Sequence, residues 1–146
     1  MKKFFLTILS GMLISLSMLG TGSVATADSP GEILIIVNKS ANISSATTAE
    51  IKRVFTKQIS EINGVKVVPI HAKKDSDLRR AFLDKVLGMT SAEENSFWEK
   101  QKISSGIMAP TELGDTLRGV FSLNGGISYC FRKDFKLGTA KILLVL

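Results

Sequence analysis

His71 is the single histidine and Cys130 the single cysteine of this 146-residue chain, so few side chains are equipped for nucleophilic or metal chemistry. A hydrolytic triad needs a base beside an activated nucleophile, and no Gly-x-Ser-x-Gly elbow is present to supply one. A transition-metal site needs several nitrogen or sulfur ligands at close spacing, which one His and one Cys do not provide. No P-loop and no Gly-x-Gly-x-x-Gly occurs. The carboxylate pairs Asp75/Asp77 and Glu93/Glu94 sit where helices start, and there they complement the helix dipole. The sequence therefore reads as non-enzymatic, with no cofactor and no metal.

What remains is polar binding chemistry, concentrated in Pro69-Ile70-His71-Ala72-Lys73-Lys74-Asp75-Ser76-Asp77-Leu78-Arg79-Arg80. A strand, a loop and a helix start meet here. Free amides at a helix N-terminus face whatever lies above them and act as a partial positive charge. Ser76 adds a hydroxyl, Lys73, Lys74 and Arg79 add cations, and His71 follows the strand at its carboxyl end, where α/β proteins place ligands. Asp75 and Asp77 oppose an anion: a like charge at ~4 Å costs about 4 kcal/mol at an effective dielectric near 20. Asn38, Lys39 and Ser40 follow the first strand and are expected at the same end of the sheet. Of the adjacent pair Arg79 and Arg80, one is expected in a surface ion pair and the other in solvent, because neighbouring helical residues do not share a face.

The elements that position these residues can be read in order. Lys2 and Lys3, the apolar stretch Phe4 to Leu19 and the small residues ending at Ala25-Thr26-Ala27 form an export-signal pattern, so residues 1–27 are expected to be cleaved near Ala27. That leaves one domain, 28–146, in the periplasm or secreted. Ile33-Leu34-Ile35-Ile36-Val37 is an uninterrupted apolar run suited to a strand covered on both faces. Thr47 to Glu50 is a capping box ahead of a helix over Ala49–Lys57, with Ile51, Val54 and Phe55 as its inner stripe. Asn63-Gly64 marks a turn, Val65 to Ile70 a second strand, and His71 to Asp75 a loop. Asp75 or Ser76 caps the next helix, which Gly88 ends.

A second capping box, Thr90 to Glu93, opens a helix with Phe97 and Trp98 turned inward. Lys102 to Pro110 is weakly patterned, and Thr111 to Val120 reads as a short helix. Strands are expected at Ile127–Phe131 and Lys141–Leu146, the first of them burying Cys130. The alternation predicts an α/β domain with a three-layer mixed sheet and helices on both faces. The formal charge of +6 includes Lys2 and Lys3, so the mature excess is modest and its cations are scattered, which argues against nucleic acid. Apolar residues at 45% and charged residues at 22% exclude a disordered chain, and one Cys excludes a disulfide scaffold.

Many weak motifs recur here in a familiar order. Val37-Asn38-Lys39-Ser40 with Ile43-Ser44, Glu50 to Phe55, Val67-Val68-Pro69-Ile70, Ser76 to Phe82, Val86-Leu87-Gly88-Met89, Phe97-Trp98 and Gly125-Gly126-Ile127-Ser128-Tyr129 together resemble the phosphate ABC transporter substrate-binding protein family, in its short members. The resemblance implies one lobe of a type 2 periplasmic-binding fold, which in full-length members closes with a second lobe over the ligand. It also implies a small oxyanion such as phosphate near Ser76, Asp77, Lys74 and Arg79, with a membrane transporter or sensor as partner. In full-length phosphate binders the loop equivalent to Ala72–Leu78 reads Arg, any residue, Asp, Gly, Ser, Gly, Thr. Here Ala72 stands for the Arg, Lys74 for the Asp, Asp75 and Asp77 for the two Gly, and Leu78 for the Thr, so only Ser76 matches. A bidentate phosphate donor is lost with the Arg, and two side chains replace the bare backbone. A protein-interaction module, completed by a partner or by a homodimer over the open half-cleft, is the competing expectation.

Overall fold

The computed structural model describes residues 31–146. The expected signal segment, residues 1–27, lies outside them. The chain forms β1 (Ile33–Val37), α1 (Thr48–Phe55), β2 (Glu61–Ile62), β3 (Val65–Lys66), β4 (Val68–Ala72), α2 (Asp77–Phe82), α3 (Ser91–Ser105), β5 (Thr111–Leu113), α4 (Thr116–Ser122), β6 (Gly126–Phe131) and β7 (Lys141–Val145). A five-stranded sheet in the order β5-β4-β6-β1-β7 carries helices on both faces, as expected for a mixed three-layer lobe, and β2 and β3 form a separate hairpin.

The apolar run of β1 has a direct cause. Alternate side chains point to opposite faces of a strand: Ile33, Ile35 and Val37 enter the large core with α1 and α2, while Leu34 and Ile36 pack with Val120 and Cys130 under α4. All five are fully buried, and each such side chain contributes about 1.5–3 kcal/mol of transfer free energy. A polar residue anywhere in this strand would have no water to face. The helix stripe Ile51, Val54 and Phe55 is buried too, and Thr47 and Glu50 close the capping box reciprocally.

Several local expectations change. The segment Val65–Ile70 is divided: Val65 and Lys66 return across the Asn63-Gly64 turn to pair with β2, and β4 starts at Val68. The strand β4 then takes in His71 and Ala72, because β5 offers it a second ladder with Ile70 opposite Thr111, His71 opposite Glu112 and Ala72 opposite Leu113. Thr111–Leu113 is accordingly strand, and Asp115 caps a shorter α4 by accepting from the Arg118 amide. The helix α3 continues through Ser105 to Gly106, which ends it at φ 70°. Phe97 and Trp98 on it are half-exposed and pack edge-to-face on each other at 4.8 Å instead of entering the core. Within the helical turns after α2, Leu83–Leu87 widen into a π-helix that Gly88 closes at φ 66°.

Strand direction decides what the ends of the sheet hold. The strands β5, β4 and β6 run parallel, whereas β1 is antiparallel to β6 and to β7. The carboxyl end of β1 therefore lies beside the starts of β4 and β6.

Candidate functional site

Asn38, Lys39 and Ser40 are separated from Ser76 by the length of the sheet. Asn38 N–H donates to the Gly126 carbonyl at 2.9 Å, at the end where Val68 pairs with Gly126. The Asn38 amide nitrogen donates to the carbonyls of Val120, Phe121 and Leu123 at 2.9, 3.2 and 3.1 Å. Its carbonyl oxygen accepts from Ser40 N–H and from the Ser40 hydroxyl at 2.9 and 2.6 Å. Asn38 thus closes the carboxyl end of α4, whose last carbonyls have no partner within the helix. Lys39 is exposed in the adjoining loop. The expectation that these three share an end with Ser76 fails because β1 and β4 run in opposite directions.

At the other end, Ser76 is the N-cap of α2: its hydroxyl accepts from Arg79 N–H at 3.2 Å and donates to the Lys73 carbonyl at 2.7 Å. Asp75 adopts φ 64° to turn the chain into the cap, and Asp77 pairs with Arg80 on the surface. Arg79, expected at the surface or in solvent, is instead 5% exposed. Its guanidinium donates to both carboxylate oxygens of Glu94, through Nε at 3.2 Å and Nη2 at 2.6 Å, and its Nη1 donates to the Ala72 carbonyl at 2.9 Å. Glu94 is itself buried and is the one buried residue of α3. Adjacent helical positions point about 100° apart, so Glu93 caps the helix while Glu94 turns inward.

His71 stands beside this pair. The Tyr129 hydroxyl oxygen accepts from Ala72 N–H at 3.1 Å, which leaves its own proton for His71 Nδ1 at 3.0 Å. That assignment places the imidazole proton on Nε2, which has no hydrogen-bond partner among the described residues and lies 3.6 Å from Glu94 Oε1. Burial, reinforced by the Arg79 charge, holds the imidazole well below its ordinary 6.5, so it is neutral. Burial also pushes the Tyr129 hydroxyl upward. Phe55 and Phe82 complete the wall, with Phe82 stacked on Tyr129 at 3.8 Å. The imidazole is thus held neutral in the core, against a Tyr129 hydroxyl that burial keeps protonated. Cys130 lies in the smaller core under α4, where burial raises its thiol to about 11 and keeps it inert.

A cleft of about 400 Å³ opens outside this cluster, between α3, the loop that follows β4 and the segment that leads into β5. Lys74, Arg79, Glu94, Trp98, Lys102 and Glu112 are among its lining residues. Lys74 and Lys102 are exposed and belong to no salt bridge among the described residues, and the Trp98 indole nitrogen is buried without a partner. The sequence pointed to Lys74 and Arg79 but missed Glu94, Lys102, Glu112 and Tyr129. Nothing in a strand or helix pattern signals which polar residue its neighbours will bury.

Comparison with known proteins places the fold. No protein-family model matches the chain, and no curated protein matches it. Among solved structures, a phosphate ABC transporter substrate-binding protein of Clostridium perfringens with bound phosphate is similar over 78% of this chain and 45% of its own, with a TM-score of 0.57 and 17% identity. An ABC-type phosphate transport receptor of Vibrio cholerae is similar over 78% and 47%, at TM-score 0.56 and 10% identity. PstS of Borrelia burgdorferi is similar over 77% and 47%, at TM-score 0.56 and 12% identity. The chain has the fold of a lobe of these binding proteins and spans just under half their length.

Proposed function

We propose that the protein is an exported, non-enzymatic binding lobe that takes a small oxyanion, phosphate foremost, in the cleft beside the Lys74–Asp77 turn, for ABC-type uptake or for sensing. The observation that carries this reading is the cleft just beyond the carboxyl end of β4, rimmed by Lys74 and Lys102, which form no salt bridge among the described residues, in a fold shared with a phosphate-bound protein. Ser76 fixes the turn through its two hydrogen bonds, and Lys74 supplies a charge at its edge. Calorimetric titration with phosphate, then sulfate, tests it. Saturable phosphate binding is expected, and loss of one charge-assisted contact in Lys74→Gln weakens it about tenfold or more, as does Ser76→Ala. Absence of heat with either anion up to millimolar concentrations would overturn the reading.

A second reading has its own observation. The chain spans 45–47% of its structural neighbours, and Ile103 and Met108 near the cleft are 87% and 56% exposed. A membrane transporter, a sensor or a second copy would cover that face. A cross-linked or co-eluting partner in the absence of any anion response would favour this second reading.

A further inference from the structure

Helix α3 is fifteen residues long yet buries one side chain, Glu94, and that side chain is a carboxylate clasped by Arg79. A guanidinium grips a carboxylate edge and a phosphate or sulfate edge with the same two parallel N–H bonds. Arg79 lines the cleft, so the fork that an oxyanion would use there is held by an anion of the chain itself. Charge points the same way. Lys74, Arg79 and Lys102 face Glu94, Glu99 and Glu112, three cations against three carboxylates, and removal of Glu94 leaves the cleft with one net positive charge.

The docked position of α3 is also imperfect. The Trp98 indole N–H, one turn along the same helix, is buried without an acceptor, which costs the docked state the desolvation of a polar group. Apart from Glu94, no residue of the helix is buried: Phe97, Trp98 and Gln101 are half-exposed, and Ile103 is 87% exposed. The guanidinium clasp is thus the principal tie.

We propose that Glu94 is a built-in competitor for the anion: an oxyanion engages Arg79 side-on only when α3 withdraws its carboxylate. This rests on the oxyanion reading of the same cleft and adds to it a recognition residue, Arg79, and a gate, α3. Binding and gate opening are then linked, because the anion and Glu94 exclude each other from one fork.

The test compares phosphate titrations of the full-length protein and of Glu94→Gln at matched ionic strength, with circular dichroism to verify folding. Glu94→Gln should bind phosphate about tenfold or more tightly than the parent, a coupling of ordinary allosteric size. The gain should vanish in the double variant Glu94→Gln/Arg79→Met. Glu94→Asp, which keeps the charge but shortens its reach by one methylene, should shift affinity in the same direction and provides the readout if Glu94→Gln does not fold. A folded Glu94→Gln, or Glu94→Asp in its stead, that binds phosphate no more tightly than the parent overturns the gate. A gain that survives in the double variant overturns the role of Arg79. The two readings fail differently: parental binding that is lost in Lys74→Gln yet unmoved by Glu94→Gln leaves the oxyanion site and removes the gate, whereas silence of all the variants removes both.

Discussion

His71, Tyr129, Arg79 and Glu94 form a buried polar group whose members each need the others. An uncompensated charge at that depth is expensive, and removal of one partner of a buried pair costs about 3–5 kcal/mol. The imidazole gives this cluster a pH signature. Above the ordinary 6.5 the folded and unfolded chains both carry neutral His71. Below it the unfolded chain binds a proton that the buried imidazole refuses, so stability falls as pH drops until the native imidazole titrates as well. Urea midpoints measured between pH 7.5 and pH 5 should therefore decline in the parent, and the decline should be shallower in His71→Asn. Equal slopes in the two proteins would show that other groups govern the acid limb.

Among the elements, the turn between α4 and β6 is constrained by backbone on both sides. Gly125 adopts φ 73°, and a methyl group there would meet the Lys66 carbonyl oxygen at 2.7 Å. Its own carbonyl accepts from Val68 N–H at 2.9 Å, so the turn sets where β4 begins beside β6. Gly64, in the hairpin turn, has φ 77° but open space around it. Gly64→Ala should cost about 1–2 kcal/mol, the left-handed penalty alone. Gly125→Ala should cost more, since the clash is with backbone that cannot rotate away. Urea denaturation of both variants checks the order, and a smaller loss at Gly125 would contradict the geometry. The capping boxes at Thr47 and Thr90 were readable because their partners lie three residues away. The strand β5 was not, because Thr111–Leu113 is exposed and gains its ladder only from β4.

For the whole molecule, one sheet with cores on both faces should unfold as a unit, with far- and near-ultraviolet dichroism changing together. The helix α3 should stand apart from this. Amides of β1 and β6 should exchange slowest, through global opening, while those of α3 exchange faster through local release. Protection of α3 equal to that of β1 would mean that the helix is tied by more than the Arg79 clasp. At this scale the neighbours are informative as well. Over 77–78% of its length the chain shares its fold with three binding proteins, and the match spans 45–47% of theirs.

The sequence by itself determined the elements whose cause is local or periodic: the buried run of β1, the stripe of α1, the Asn63-Gly64 turn, a helix cap at Asp75 or Ser76, which the structure resolves to Ser76, and the mixed three-layer class. It also placed Lys74 and Arg79 in the segment where the cleft forms. Only the tertiary structure decided which groups share a site. Strand direction is a property of the assembled sheet, and the antiparallel β1 carried Asn38 away from Ser76 to the end of α4. The fate of a charge is likewise non-local. Arg79 and Glu94 are fifteen residues apart, and nothing in the periodicity around either one required them to meet; they are buried because each cancels the desolvation cost of the other.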